Sequence, residues 1–213
     1  MDDILKKYSL ISHLNVSRET CLDFEHFISM IIEKNKSINI VSEENANIGT
    51  IRERHVIDTA QIIDLIELNN NTLYDLGTGG GFPGIIIAIM LKNMGMKIKM
   101  KLYEKSYHKS NFLEEVSIKL NLNTEVVQKD IFQDQKIESG TIMCRAFKPL
   151  PVLLDLISKN FSSYKNIILF MGKSGKNVLE ETLKIWDFSY EKRGSITNKD
   201  SFLLNIKNIQ RKI

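Results

Sequence analysis

Five glycines crowd residues 77–84 in the stretch YDLGTGGGFPG, and no other segment of the chain restricts its fold as strongly. Glycine gives up side-chain packing and loses more conformational freedom on folding than other residues. A cluster of this kind therefore marks positive φ or close approach to a ligand. The apolar run LYDL precedes the cluster and an apolar run over residues 85–91 follows it. The order strand, glycine turn, helix is the opening unit of a doubly wound sheet.

The rest of the chain extends that pattern. Strands are predicted at 73–76, 98–104, 124–128, 141–145 and 166–171, with two more near 186–193 and 202–207. Helices are predicted at 84–93, 107–120, 149–160 and 175–185. Alternation of the two argues for a largely parallel sheet. The last two strands have no helix between them and should pair as an antiparallel hairpin. Before residue 70 the texture is helical, with Leu22, Phe24, Phe27, Ile28, Ile31 and Ile32 at helix spacing and a second helical stretch in IRERHVIDTAQIIDLIEL. The expected fold is α/β and Rossmann-like: a seven-stranded, mostly parallel, doubly wound sheet with an antiparallel C-terminal hairpin. A helical N-terminal extension over residues 1–68 precedes the sheet domain of residues 69–213.

Composition narrows the class. With 43% hydrophobic and 26% charged residues, the chain reads as an ordinary soluble globular protein. Its longest apolar run is too short to span a bilayer, and MDDILKKYSL lacks the features of a signal peptide. Cys21 and Cys144 lie far apart with no C-x-x-C pair, which suits a reducing cytoplasm and indicates neither a disulfide framework nor a metal site. A formal charge of +3 means that any nucleic-acid surface must be a local patch.

The glycines fit two registers. Gly79, Gly81 and Gly84 spell the dinucleotide fingerprint G-x-G-x-x-G. Asp75 with Gly77, Gly79 and Gly81 spells D-x-G-x-G-x-G, the pattern of S-adenosylmethionine sites. A dinucleotide places an anionic pyrophosphate at the helix N-terminus, and the Asp75 carboxylate opposes it. S-adenosylmethionine carries an ammonium and a sulfonium, which a carboxylate favours, so the second register is preferred. Glu104 follows Gly81 by 23 residues, near the roughly 20 at which an acid binds ribose hydroxyls. Two look-alikes are set aside. MGKSGK lacks the first glycine of a P-loop, since Ile167 stands there. Cys144 follows Met143 rather than proline and reads as a small buried thiol.

NIVSE, RHVIDT, YDLGTGGGFPG, LYEKSYHKSNFLEEV and CRAF together resemble the bacterial 16S rRNA guanine-N7 methyltransferase G family, also called glucose-inhibited division protein B, from about Asn39 onward. The resemblance implies a class I methyltransferase fold and S-adenosylmethionine-dependent methylation of N7 of one guanosine in the decoding region of 16S rRNA. It implies cofactor contacts at Gly77 and Phe82, an adenine flanked by Ile131 and Phe132, and a role for Arg145 after the fourth strand. Phe132 departs from the family, where Glu is common, and Ser110 replaces the second residue of a Lys-Arg pair. The implied partner is 16S rRNA in the small ribosomal subunit or its assembly intermediate. The implied setting is the cytoplasm, with a monomer, no membrane and no metal.

N7 of guanine holds an exposed lone pair and no proton, so attack on a sulfonium methyl needs no general base, and none is named. Arg145 is the residue best suited to hold the cofactor or the guanine edge, because an arginine fork binds carboxylate or O6/N7 in two places. Lys109, Lys148 and Lys173 follow predicted strands on the rim where RNA should arrive, and His55 is a further RNA-binding candidate. Lys97, Lys99 and Lys101 share one strand face, as on a solvated strand edge. Two rival readings stand: a cofactor-binding assembly factor without activity, and a nicotinamide-dependent oxidoreductase using the dinucleotide register.

Overall fold

The computed structural model describes residues 3–69 and 71–212. Met1, Asp2, Asn70 and Ile213, which the two predicted segments include, lie outside the described residues. The chain opens with the short helix α1 (Asp3–Lys6), a 3-10 turn (Ser9–Leu14) and the long helix α2 (Arg18–Asn35). Ser17 starts α2: its hydroxyl accepts the Thr20 N–H at 3.1 Å, a contribution of about 1 kcal/mol. Helix spacing brings Phe24, Phe27, Ile28 and Ile31 to one buried face.

The second helical stretch is not a regular α-helix. It runs from α3 (Ile48–Ile51) through a π-helical turn (Arg52–Ile57) into α4 (Asp58–Ala60). The Arg52 guanidinium donates to both oxygens of Glu25, at 2.6 and 2.7 Å, and so ties this turn to α2.

The sheet contains all seven predicted strands: β1 (Thr72–Leu76), β2 (Lys99–Tyr103), β3 (Thr124–Val127), β5 (Thr141–Arg145), β7 (Asn166–Met171), β8 (Trp186–Gly194) and β9 (Phe202–Arg211). Their order is β3-β2-β1-β5-β7-β9-β8, with only β9 antiparallel to its neighbours. The final hairpin is longer than predicted on its second strand. Two short segments that the pattern did not reveal, β4 (Ile137–Glu138) and β6 (Phe161–Ser163), form a separate parallel pair. The predicted helices are α5 (Gly84–Asn93), α6 (Tyr107–Lys119), α7 (Leu150–Asn160) and α8 (Gly175–Leu183).

Two apolar clusters sandwich the sheet. On one face α5 and α6 pack with the N-terminal helices, so that Phe24, Phe27 and Ile31 share a core with Ile85, Ile89 and Phe112. The other face holds Leu153, Leu154 and Ile157 of α7 with Leu179 of α8. The order in which the chain adds strands reverses between the parallel neighbours β1 and β5, and in such sheets ligands settle in the crevice beyond the carboxyl ends of the strands at that point. Lys99 and Lys101 do not lie on an edge. β2 is an inner strand, and both lysines pair with Glu125 of β3, at 3.4 and 3.2 Å.

Candidate cofactor and substrate site

A cavity of about 420 Å³ opens in that crevice. The glycine turn after β1 forms one wall and is fastened to the end of β2: Gly77 and Thr78 both donate backbone N–H to the Tyr103 carbonyl, at 2.9 and 3.1 Å. Glu104, the next residue, accepts from the Gly79 N–H at 3.0 Å and the Ser106 N–H at 2.8 Å. The Glu104 carboxylate therefore sits at the mouth of the cavity in a fixed orientation.

The glycines divide by what faces them. A Cβ on Gly77 would overlap the Phe147 ring, and one on Gly84 would overlap Leu102 and approach Asp75 Oδ2 to 2.7 Å. Gly79 differs: its φ is +57° and a Cβ there would meet no atom closer than 3.9 Å. So most of the bare backbone admits other parts of the protein, and Gly79 keeps open space for a ligand.

Asp75 does not line this cavity. It is completely buried behind the turn, where Oδ2 accepts the Gly84 N–H at 2.7 Å at the start of α5. Oδ1 and the Thr78 hydroxyl are buried without a hydrogen-bond partner. Burial pushes the Asp75 carboxyl up to about 7, with the hydrogen bond from the Gly84 amide acting in the other direction.

The opposite wall comes from the turn after β3. The Asp130 side chain accepts the Phe132 N–H at 3.1 Å, winding residues 131–133 into a 3-10 turn. Ile131 is buried there, and Phe132 stays 43% exposed and turns its ring to the cavity, 6.4 Å from that of Phe147. The π-helical turn supplies His55. Its ring stacks on Phe82 at 4.7 Å, and neither ring nitrogen has a hydrogen-bond partner. Burial, with Arg145 nearby, lowers the His55 pKa to about 4, so the imidazole is neutral.

Arg145 lines the cavity, and one nitrogen of its fork, Nη2, is already engaged in a hydrogen bond. Nη2 donates to the Arg54 carbonyl at 2.6 Å, Nη1 lies 2.9 Å from Asp58 Oδ2, and the guanidinium covers the Phe170 ring at 4.9 Å. The arginine thus joins the end of β5 to the π-helical turn and the start of α4. Cys144 is buried, which raises its thiol well above the usual range and leaves it protonated.

Of the residues singled out in the sequence, Gly77, Gly79, Phe82 and Glu104 meet Ile131, Phe132 and Arg145 around one cavity, with His55, Lys109 and Lys148 at its margin. Gly81 and Asp75 stand behind it, and Lys173 lies outside it, exposed. Sequence reasoning passed over Phe147, although it ends the CRAF motif, and Asp58, the acid of RHVIDT.

The residues present suit S-adenosylmethionine. A volume of about 420 Å³ is in the range of small-molecule sites, roughly 300–1,000 Å³. Glu104 offers a carboxylate acceptor, Phe132 a partly exposed aromatic ring, Gly79 an unobstructed backbone, and His55 no like charge against a cation. Among the described residues there is no cluster of His, Cys, Asp and Glu that could hold a metal, and no helix is long and apolar enough to cross a membrane.

The family described as rRNA small subunit methyltransferase G matches residues 20–206. A ribosomal RNA small subunit methyltransferase G from Pelagibacter ubique is 59% identical over 212 residues, 100% of both chains. The protein of that name from Rickettsia felis is 32% identical over 92% of this chain and 97% of its own. Among solved structures, an S-adenosylmethionine-dependent methyltransferase from Aquifex aeolicus superposes with a TM-score of 0.54 at 16% identity, covering 74% of this chain and 92% of that one. A ribosomal protein L11 methylase from Lactobacillus delbrueckii gives 0.52 at 18% identity, over 75% and 79%. These likenesses show the Rossmann-like class I methyltransferase fold.

Proposed function

The chain belongs to the rRNA small subunit methyltransferase G family, and from that membership we propose that it methylates N7 of one guanosine in the decoding region of 16S rRNA. The substrate is this RNA within the small ribosomal subunit or its assembly intermediate, and the methyl donor is S-adenosylmethionine. The observation that carries the reading is the Glu104 carboxylate, hydrogen-bonded to the Gly79 N–H beside open backbone, on one wall of a switch-point cavity. That is where a ribosylated, cationic cofactor is bound by a carboxylate and by backbone that leaves room for it. A ribosomal substrate also places the protein in the cytoplasm.

Within this reading each wall has a task. Glu104 accepts from the ribose hydroxyls while its bonds to Gly79 and Ser106 hold it still. Ile131 and Phe132 bracket the adenine. The neutral ring of His55 closes the side nearest Phe82 without opposing a cation, and Arg145 stands where the guanine edge arrives. When bound, S-adenosylmethionine supplies an electrophilic sulfonium methyl that passes to the N7 lone pair. No proton leaves N7, so the protein's contribution is alignment and exclusion of water rather than base catalysis. Lys109 and Lys148 at the margin, with Lys173 beyond it, guide the RNA by its phosphates.

The test is methyl transfer from radiolabelled S-adenosylmethionine to small subunits from cells lacking this protein, with the product mapped by cleavage at N7-methylguanosine. Label at a single guanosine in the decoding region is the expected result. Cofactor binding with no label on subunits would instead support an inactive assembly factor. Binding of a nicotinamide dinucleotide in preference to S-adenosylmethionine would favour the oxidoreductase reading.

A further inference from the structure

The geometry points to a separate chamber for the target base, in which the Arg145–Asp58 pair reads guanine as guanine. This rests on the reading above and assigns what that reading leaves open: where the base sits and how it is told from adenine. A second cavity, of about 310 Å³, lies beside the first and is lined by Asp58, Arg145, Ala146, Phe170 and Ser201 among others. Arg145 and Ala146 line both cavities. Ala146 holds a φ of +50°, a left-handed conformation uncommon for a residue with a Cβ. Such outliers concentrate at functional sites. Here it leaves a single methyl side chain at the boundary between the two chambers.

The polar groups of the second chamber form a donor–acceptor pair. Arg145 Nη1 is buried and carries no aligned hydrogen bond, although it lies 2.9 Å from Asp58 Oδ2. Asp58 Oδ1 is fully occupied, accepting from Gln61 Nε2 at 2.7 Å, Ser195 Oγ at 2.6 Å and Thr197 Oγ1 at 2.9 Å. These three contacts hold the carboxylate and leave Oδ2 beside the arginine. Guanine presents an acceptor and a donor side by side, O6 and N1–H. Nη1 and Oδ2, side by side at 2.9 Å, present the complementary donor and acceptor. Adenine presents the reverse order, N6–H and an unprotonated N1, and would set donor against donor and acceptor against acceptor. N7 lies next to O6 on the purine, so a base held by O6 at Arg145 turns N7 toward the first chamber.

A third cavity, of about 180 Å³, also touches Ala146, but Cys144, Leu150, Leu153 and Val178 make its walls largely apolar. Burying the polar edge of guanine there would leave its groups without partners.

The experiment uses small subunits whose target position carries guanosine, inosine or 2-aminopurine. Inosine keeps O6 and N1–H, whereas 2-aminopurine loses both and retains N7. The unaltered protein should methylate inosine within about tenfold of guanosine and 2-aminopurine about 100-fold less well, the scale of one two-point base contact. Ser201→Leu, which fills the second chamber from a loop, should lower kcat/KM about 100-fold with cofactor affinity unchanged. Ser174→Leu, which fills the third cavity, should leave transfer intact. Asp58→Asn should bring the inosine to 2-aminopurine ratio toward one, an effect that mere loss of stability does not produce. The inference is overturned if 2-aminopurine matches inosine, if Ser201→Leu transfers normally, or if Ser174→Leu is the variant that fails. Absence of any transfer by the unaltered protein to guanosine would remove the underlying reading as well.

Discussion

The His55 ring lies 4.7 Å from that of Phe82 and 23° from parallel with it, with both imidazole nitrogens buried and unpartnered. Twenty residues further along, Asp75 is buried with one carboxylate oxygen also unpartnered. Both groups resist charge, and they respond to pH in opposite directions.

For His55 the pKa falls from 6.5 to about 4 on folding. The unfolded chain takes up the proton first, so this site's contribution to stability is complete above pH 6.5 and is lost as pH falls toward 4. For Asp75 the pKa rises from 3.8 to about 7. The folded chain keeps its proton after the unfolded chain has released it, so stability declines as pH rises from about 4 to 7. Each effect is worth a few kcal/mol at most, and in the wild type they offset one another. Urea unfolding of His55→Phe between pH 4 and 8 should show stability falling with pH. Asp75→Asn should show it rising. Parallel profiles for the two variants would refute the assignment.

The glycines make a second separable pair. Gly84→Ala drives a methyl group into Leu102 and Asp75, overpacking that costs about 1–3 kcal/mol. Gly79→Ala meets nothing closer than the Gly77 carbonyl oxygen at 3.9 Å, and its positive φ costs about 1 kcal/mol. If Gly79 is the position that a ligand approaches, its alanine variant should lose at least tenfold in S-adenosylmethionine affinity by calorimetry. Gly84→Ala should be the less stable of the two in thermal unfolding.

Which of these features were legible in the sequence follows from the kind of signal each leaves. Strands such as Asn166–Met171 and helices such as Tyr107–Lys119 announce themselves because burial on one face imposes a period. Ile137–Glu138, two residues long, has no room for one. The π-helical turn at Arg52–Ile57 differs from an α-helix in its backbone bonds, which side-chain spacing does not encode. Asp75 and Glu104 look alike in the sequence, each an acid at a strand end. Only packing shows that the first supports the turn from behind and the second reaches the cavity. Phe147 and Asp58 sit in recognised motifs, but they act through Gly77 and Arg145, far away along the chain, and no local pattern carries that.

Glu104 should separate binding from folding. Its oxygens accept from Gly79 and Ser106, and Gln keeps one acceptor while replacing the other with a donor. A carboxylate is the better partner for two ribose hydroxyls, since bonds to a charged acceptor are roughly twice as strong as neutral ones. Glu104→Gln should therefore weaken S-adenosylmethionine about 10- to 100-fold, while the one backbone N–H it leaves facing a donor costs about 1–3 kcal/mol of stability, too little to unfold the chain. Unchanged affinity would move the ribose elsewhere in the cavity.

The lysines at the rim differ in position, and salt can report on each. Lys148 lines the cavity with its ammonium 5.8 Å from the Phe132 ring, and Lys109 lines it from α6. Lys173 lies outside, just before α8. Each phosphate contact contributes about 0.7–0.9 to the slope of log affinity against log salt. The triple variant Lys109→Ala/Lys148→Ala/Lys173→Ala should bind 16S rRNA more weakly and with a slope shallower by about 2–3. The single variant Lys173→Ala should lower the slope by about one with S-adenosylmethionine affinity unchanged, since that lysine is remote from the first chamber. An unaltered slope in the triple variant would place the phosphate contacts on another face of the molecule.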